Sequence, residues 1–451
     1  MFKHSSLRVV IGLLMLFFPI TTMTIRAADI FPYQFRIEQL EIGLKVVSIP
    51  LNNPHIISYY TIVRSGSRNE VEAGKSGFAH FFEHMMFKGT KTVPTEAYNA
   101  YLTRLGAGTN GYTTDDYTCY FTVFAGRENL EEVIRTEADR FINLYYDEEM
   151  LKTEAPVIEG EYYASASNPS RRLHELLRDT AFEKHSYKHT TLGYLEDIQD
   201  MPNQFAYSQI YKQRFYAPDN IILMVVGDFE HDTLMALVRQ HYGEWERSGY
   251  TLVTPVEPPQ EAAKRAHYDW PTATLPLLAI GFHGPAYSGE ELDKAALDLL
   301  AQTFFSRRAP LYQRLVIEEQ RCTSFYAGFP DRRDPYLLTF NAVIKNNDDL
   351  TYVEEEIFKE IERAKQELVQ EEFLADVKSN IKYSFAEALG TTDGVAGSLA
   401  FYISLAEDPG TINKLFALYE RVTPQVMQDM ARKYLVKTNS TVVTLSGGQS
   451  R

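Results

Sequence analysis

The sequence predicts an α+β protein of two duplicated domains, each a mostly antiparallel sheet with helices packed on one face. Strand-like runs rich in Val, Ile and Tyr occur in both halves of the chain, and an apolar-faced helix follows each run. Placing 56–62 over 277–282 brings these two helices into register at an offset near 215 residues, which indicates an internal duplication. Between the halves, 247–268 contains three prolines and no sustained apolar period.

The individual elements follow from the same patterns. In the first half we expect strands over 35–50, 55–64, 108–114, 117–124 and 220–226, and helices over 75–87 and 129–144. In the second half we expect a strand over 275–283 and a helix over 292–304. Only the first of the two equivalent helices carries histidines.

The predicted organisation is a signal peptide over 1–28, a first domain over 29–246, a linker over 247–268 and a second domain over 269–451. Lys3 and Arg8 precede an apolar run of 12 residues from Val9 to Ile20, and Ala27–Ala28 follow it. This run is too short for a transmembrane helix. We expect export to the periplasm or the exterior, with no stable membrane insertion once the signal is cleaved after Ala27 or Ala28. The alternative is an uncleaved anchor, because Ile25 or Arg26 would occupy a position where the cleavage site prefers a small residue.

Composition and charge exclude several classes of protein. The chain has 451 residues, 45% of them hydrophobic and 23% charged, and a formal net charge of −15. A non-specific nucleic-acid binder needs a basic surface, and the acidic composition of this chain argues against that class. The two cysteines, Cys119 and Cys322, can form neither a disulfide framework nor a thiolate zinc site.

A metal-binding pattern stands out in the helix predicted over 75–87. His80 and His84 are four residues apart, so both imidazoles project from one side of the helix and can bind one metal ion. Glu83 lies one turn from His80 on the same side, within reach of a water molecule at such a site. The alternative is a half-buried helix with two core histidines and a surface glutamate, but three polar groups among Phe and Met would be costly to bury.

Catalytic zinc takes three protein ligands, so a third must lie elsewhere in the chain. The acidic segment YYDEEMLKTEAPVIEGEYYAS at 145–165 offers Glu154, Glu159 and Glu161. Glu154 and Glu161 are two turns apart on one face, whereas Glu159 points elsewhere. Spacing alone leaves the choice open, and a solvated acidic face is the plain alternative.

The motif HFFEH at 80–84, followed by MMFKGT, resembles the inverted-zincin peptidases, the family of pitrilysin, insulin-degrading enzyme and the mitochondrial processing peptidase. In that family the third ligand is a glutamate about 77 residues after the second histidine, in a V-x-x-x-E segment. Val157 to Glu161 matches this segment, and Glu161 is 77 residues after His84. The resemblance extends over nearly all of 35–445.

The resemblance implies a zinc-dependent endopeptidase that binds one Zn²⁺ per chain through His80, His84 and Glu161. Glu154 would orient a ligand histidine and Glu83 would act as the general base. The stretch GAGTNGYTTDDYTCYF is similar to the family's edge strand, so Thr109, Asn110, Gly111 and Tyr112 are expected to bind substrate backbone as an added strand.

The chain departs from the family at one place. Active single-chain members carry an Arg and, seven residues later, a Tyr that reach the scissile carbonyl, and the aligned positions here are Val316 and Thr323. The chain is therefore closest in type to the zinc-bearing subunit of a bacterial two-subunit peptidase. We expect a heterodimer with a related chain that supplies the Arg/Tyr pair, with a homodimer as the alternative.

Two further readings stay open at the level of sequence. Some relatives of this family are non-catalytic peptide-binding or scaffold subunits, against which the intact zinc and base residues argue. A structural zinc protein would need a fourth ligand, and none is visible. His185 and His189 are also four apart, but their segment is loop-like and has no suitably spaced acid, so we expect them to be structural.

Overall fold

The strands form two mixed sheets that share one strand order. The computed structural model describes residues 29–52 and 55–448, so the predicted signal peptide lies outside the described residues. The first sheet contains β1 (Arg36–Gln39), β2 (Lys45–Pro50), β3 (Ile56–Val63), β4 (Gly108–Thr113), β5 (Thr118–Ala125) and β6 (Ile221–Gly227). The second contains β7 (Lys264–Trp270), β8 (Leu277–His283), β9 (Cys322–Gly328), β10 (Leu337–Ile344) and β11 (Ser440–Gly447).

The sheet topology confirms the duplication. The strand orders are β1-β2-β6-β3-β5-β4 and β7-β11-β8-β10-β9, so the second order repeats the first without β1. In each sheet one neighbouring pair is parallel, β2 with β6 and β7 with β11, and the other pairs are antiparallel. The predicted fold class, two α+β domains with mostly antiparallel sheets, is therefore confirmed. β4 and β9 are equivalent edge strands.

The helices of the first half are α1 (Phe78–Met85), α2 (Thr95–Leu105), α3 (Leu130–Ile142), α4 (Glu148–Ala166), α5 (Pro169–Ala181), α6 (Leu195–Asp200), α7 (Phe205–Phe215) and α8 (His231–Tyr242). Those of the second half are α9 (Leu292–Phe304), α10 (Pro310–Tyr312), α11 (Leu350–Gln366), α12 (Glu371–Ala388), α13 (Thr392–Ala406), α14 (Thr411–Arg421) and α15 (Pro424–Tyr434). Within the described ranges, no helix is long and apolar enough to cross a bilayer.

Two predicted boundaries differ from the structure. The single strand expected over 35–50 is divided into β1 and β2, because the chain turns at Gly43, whose φ of 89° lies in the left-handed region that favours glycine. The linker predicted over 247–268 extends too far, since β7 begins at Lys264 and pairs in parallel with β11. Polar and apolar residues alternate along β7, and prolines precede it, so the sequence of this strand resembled the irregular linker.

Each sheet is apolar on both faces. In β3, Ile57, Tyr59 and Val63 point into a core formed with helices of the first half, whereas Tyr60 and Ile62 point to the opposite side. That opposite side is covered by α13, a helix of the second half, through Val395, Ala396, Leu399 and Ile403.

The second sheet is covered in the same way, by a helix of the first half. In β8, Leu278, Ile280 and Phe282 face helices of the second half, whereas Leu277 and Ala279 face α5, a helix of the first half. The helices of each half thus cover one face of its own sheet, as predicted, and one helix of each half crosses to the other sheet. This exchange was not predicted, and it makes the two sequence domains one packed body.

Buried charges join the two halves at one loop. The clamp segment (329–336), between β9 and β10, inserts against the β4–β5 hairpin of the first half. Arg332 Nε lies 3.0 Å from an Asp115 carboxylate oxygen, and the Arg333 amide donates to Asp116 at 3.0 Å. Asp334 accepts from His185 Nε2 at 2.9 Å and pairs with Arg68.

The Asp334 carboxylate should contribute stability that depends on pH. Burial would raise its pKa, but the hydrogen bond from His185 and the charge of Arg68 hold the pKa at about 2. Because the folded-state pKa is depressed, the stabilisation is present above the unfolded value of about 4 and is lost as pH falls toward 2. We therefore expect Asp334→Asn to cost about 1–2 kcal/mol at pH 7 and progressively less below pH 4.

Thermal or urea unfolding of both forms between pH 7 and pH 3.5 measures this difference. Asp232→Asn is the matched control, because the Asp232 side chain is 98% exposed and its ion pair with Arg36 spans 3.9 Å. Equal stability of Asp334→Asn and Asp232→Asn at pH 7 would show that the ion pair adds nothing.

Candidate metal centre

The helix α1 separates its polar and apolar residues cleanly. Phe78, Phe81, Phe82 and Met85 are fully buried in the first core, whereas His80, Glu83 and His84 are half-buried on the other side. This is the division that the residue pattern predicted. The polar side of α1 borders a cavity of about 1380 Å³ between the two halves.

The start of α1 is fixed by a buried carboxylate. Glu70 accepts the backbone N–H groups of Gly77 at 2.8 Å and of Ala79 at 2.6 Å, groups that have no partner within the helix. Gly77 has a φ of 91°, and a Cβ there would lie 2.8 Å from the carbonyl oxygen of Leu192. These contacts set where the helix begins and hence how its side chains are aimed.

His80, His84 and Glu161 bring one donor atom each to the same place. Glu161 Oε2 lies 3.4 Å from His80 Nε2 and 3.6 Å from His84 Nε2, and the three donor atoms all lie within 4.8 Å of one another. Ligands about 2.1 Å from a tetrahedral zinc ion lie about 3.4 Å from one another. The spacing and the donor set, two imidazoles and one carboxylate, therefore fit Zn²⁺.

Glu154 orients His84 from the side opposite the cluster. His84 Nδ1 donates to Glu154 Oε1 at 2.9 Å, which leaves the Nε2 lone pair facing Glu161. The hydrogen bond from His84, together with an ion pair to Lys88, lowers the pKa of Glu154 to about 2, so the carboxylate stays charged and accepts this bond at neutral pH.

The two imidazoles differ in their surroundings. Burial, with a smaller effect of His84, lowers the pKa of His80 to about 4, so His80 is neutral at physiological pH and its nitrogen can bind a metal. Burial also disfavours charge on His84, but the hydrogen bond to Glu154 and the neighbouring carboxylates raise its pKa above the usual value. A bound cation would oppose this protonation.

Glu83 has a partner on the neighbouring strand. The hydroxyl of Thr113, the last residue of β4, donates to Glu83 Oε2 at 2.6 Å. Burial raises the pKa of Glu83 even though this hydrogen bond acts in the opposite direction. A carboxylate with a raised pKa is a better proton acceptor, which suits a general base.

The other glutamate considered as a ligand points away from the cluster. Glu159 is half-buried and accepts from Tyr163 at 3.1 Å and from Gln199 at 3.0 Å. Helix α4 carries Glu154, Glu159 and Glu161 and runs unbroken through Pro156. The second histidine pair forms no cluster within the described residues: His185 bonds to Asp334, and His189 Nδ1 donates to the Thr190 carbonyl at 2.9 Å.

The predicted substrate strand is only partly at the cavity. β4 pairs with β5 on one side and, among the described strands, with none on the other. Tyr112 lines the cavity together with Thr113 and Thr114, whereas Thr109, Asn110 and Gly111 lie further along the same edge. Gly111 allows close packing, since a Cβ there would lie 3.2 Å from the ring of Phe87.

Neither position aligned with the family's Arg/Tyr pair carries a donor for a substrate carbonyl. Val316 packs against the apolar core of the second half, and the Thr323 hydroxyl donates to the Val343 carbonyl at 3.3 Å. The nearby arginines, Arg314 and Arg321, are paired with acidic side chains of the second half.

Tyr312 packs against the same core as Val316. Tyr326 is 58% exposed and lines the cavity from β9.

Two residues at the site were not identified from the sequence. Lys88 pairs with Glu154, and its place four residues after His84 could have indicated a neighbouring side chain. Thr113 carried no signal by itself, because its contact with Glu83 depends on how β4 packs beside α1.

The chain matches protein family models in both of its halves. Two family models match it, one described as Insulinase (Peptidase family M16) over residues 45–194 and one described as Peptidase M16 inactive domain over residues 209–381. The chain belongs to the M16 peptidase family, and the resemblance found in the sequence is confirmed.

Individual relatives agree with this assignment. The zinc protease PqqE of Helicobacter pylori is 27% identical over 449 residues, which cover 98% of this chain and 99% of that protein. The crystal structure of a protease from Helicobacter pylori has a TM-score of 0.85 at 27% identity and covers 92% of this chain and 99% of its own. The periplasmic protease PqqL from Escherichia coli has the same fold, with a TM-score of 0.73 at 20% identity, and this chain covers 48% of it.

The ligand roles of His80, His84 and Glu161 stay a prediction that metal binding tests. We expect His80→Ala and Glu161→Ala to lose stoichiometric zinc, because two remaining donors hold the ion weakly. Glu154→Gln should keep the ion but bind it about 10–100-fold more weakly, since His84 loses a charged partner. Zinc content by mass spectrometry and competition with a chelator give both quantities.

Glu159→Ala is the matched control, because it removes a carboxylate from the same helix without touching the cluster. Loss of zinc in Glu159→Ala with retention in Glu161→Ala would assign the ligand role to Glu159.

Proposed function

We propose that this chain is an exported zinc metalloendopeptidase that hydrolyses peptides or unfolded polypeptide segments. The observation that carries the proposal is the meeting of two imidazoles and a carboxylate beside Glu83, on the wall of a cavity bordered by a free strand edge. The Helicobacter pylori relative that aligns over 99% of its length is also named a zinc protease. Export, to the periplasm or the exterior, rests on the sequence of residues 1–28 alone.

In this proposal the chain's own residues position and activate water. His80, His84 and Glu161 would hold one Zn²⁺, and the bound ion would supply Lewis-acid polarisation of the scissile carbonyl. Glu83 accepts a proton from the attacking water as its oxygen bonds to the carbonyl carbon. Glu83 then delivers this proton to the amide nitrogen as the C–N bond breaks.

Substrate would bind through its backbone. The edge of β4 that faces away from β5 pairs with no other strand of the described residues and lies next to Glu83, so an extended peptide can add to it as a further strand. Such pairing reads backbone more than side chain, which favours broad sequence preference. A folded protein offers no free strand to a recessed edge, so we expect unfolded segments and peptides as substrates.

Glu83→Gln separates the general base from the metal ligands. We expect the variant to keep zinc and to lose about 10²–10⁴-fold in kcat, because the amide cannot accept the proton from water. Hydrolysis of a broad library of quenched fluorescent peptides, with zinc content measured on the same samples, tests this. Unchanged turnover in Glu83→Gln would contradict the assigned mechanism, and a zinc-loaded wild type inactive with any partner would favour a peptide-binding or scaffold subunit.

We also propose that the active form is a heterodimer. Val316 and Thr323 stand where active single-chain members carry Arg and Tyr, and both side chains are engaged within the second half. Without such donors the oxyanion that develops on the carbonyl would lack hydrogen bonds from this chain at those positions. Loss of one oxyanion donor typically costs about 10²–10³-fold in rate.

The isolated chain should therefore cleave peptides slowly or not at all. A related subunit that lacks the H-x-x-E-H motif and carries the Arg/Tyr pair should restore activity at a 1:1 ratio. Titration of that subunit into the assay, with light scattering to measure mass, distinguishes the heterodimer from a homodimer. Full activity of a monomer would disprove the two-subunit proposal.

A further inference from the structure

The cavity between the two halves is unevenly charged. Four carboxylates line it, and two of them, Glu83 and Glu161, belong to the candidate metal centre. The other two, Asp115 and Glu175, are outnumbered by the arginines that line the same cavity, which are Arg171, Arg172, Arg178 and Arg332. The wall away from the metal centre is thus positive, although the whole chain has a formal charge of −15.

Most of these arginines are occupied by the protein itself. Arg178 and Arg332 share the single carboxylate of Asp115, at 2.8 Å and 3.0 Å. Arg172 is paired with Glu175 at 2.7 Å. These three guanidinium groups therefore hold the cavity wall together. Because Arg178 and Arg332 share one carboxylate, their two positive charges are only partly balanced by Asp115.

Arg171 differs from the other three. Its Nη1 lies 3.4 Å from the hydroxyl of Ser165, and no carboxylate of residues 29–52 or 55–448 lies within ion-pair distance of it. The residue is exposed, and it lies on the same side of α5 as His174, which also lines the cavity. Among the described residues that line the cavity, Arg171 is the arginine without a carboxylate partner, so an anionic ligand in the cavity can pair with it.

The position of Arg171 relative to the metal centre follows from α4. Glu161 and Ser165 are one turn apart on that helix and both line the cavity, so they are separated by about 6 Å along the axis. The guanidinium of Arg171 contacts Ser165, so it lies about one helical turn from Glu161 along α4. An extended peptide advances about 3.3 Å per residue, so this distance corresponds to two or three residues.

We propose that Arg171 forms a subsite for a carboxylate side chain of the substrate, two or three residues from the bond that is cleaved. The substrate class would then be peptides with Asp or Glu near the scissile bond. This inference rests on the proposed peptidase function, but the binding of an acidic peptide in the cavity can be measured without hydrolysis.

The kinetic test uses matched peptides with Glu, Gln or Lys at each of the three positions on either side of one cleavable bond. With the assembled active enzyme we expect kcat/KM to be about 2- to 5-fold higher for Glu than for Gln at one or two of these positions, and the ratio to fall toward one in 0.5 M NaCl. Arg171→Glu should reverse the order, so that Lys is preferred. Because Arg171 is exposed, this change should not disturb folding.

Arg135→Glu is the matched control, since Arg135 is an exposed arginine of α3 that does not line the cavity. It should keep the wild-type order of Glu, Gln and Lys peptides. An unchanged order in Arg171→Glu, or an equal shift in Arg135→Glu, would overturn the subsite.

A binding measurement separates the two proposals. In the Glu83→Gln background, fluorescence anisotropy of labelled Glu and Gln peptides should give a lower Kd for the Glu peptide, and Arg171→Glu should remove this difference. If no form hydrolyses any peptide but the difference in Kd remains, the proposed catalytic function fails and the subsite stands. Equal Kd values for the two peptides would overturn the subsite whether or not the chain is a peptidase.

Discussion

Both sheets of this protein are apolar on both faces, and the rest of the structure depends on how the second faces are covered. β6, for example, is buried at every residue. The helices of each half cover one face, so the other must be covered by a partner, and α5 and α13 provide this cover by crossing to the opposite sheet. Burial of apolar area on this scale is the dominant favourable term in folding. If the two halves separated as independent domains, one apolar face of each sheet would therefore be exposed to water.

The exchange also determines where the candidate metal centre lies. Only two residues join α4, which carries Glu161, to α5, which packs on the second sheet. The third donor is thus tied to the second sheet, while His80 and His84 are tied to the first core through the aromatic side of α1. The β4–β5 hairpin connects the same parts: Thr113 bonds to Glu83, and Asp115, two residues later, pairs with arginines of both halves. The packing between the halves therefore controls the spacing of the donors.

Local patterns in the sequence predicted local features well. The spacing of His80 and His84 gave the right face of α1, and the two-turn spacing of Glu154 and Glu161 gave one face of α4. The exchange of helices and the hydrogen bond from Thr113 could not be predicted, since both depend on which surfaces meet after folding. The end of the linker was misplaced because β7 alternates polar and apolar residues and follows three prolines, which resembles an irregular segment.

Within the described residues, the candidate metal ligands lie only in the first half, and the packing of the equivalent helices gives the reason. The helix equivalent to α1 is α9, and α9 packs against α11, α12, α14 and α15, so most of its residues are buried. Metal ligands on such a helix would have no access to a substrate. α1 escapes this constraint because one of its sides borders the cavity. The second half instead contributes the opposite wall, with Tyr326 exposed on β9 and Arg332 bound to Asp115. Its own side chains at Val316 and Thr323 are engaged in packing and in a backbone hydrogen bond. The second half therefore contributes shape and charge to the cavity, while the candidate metal ligands and general base lie on the first half.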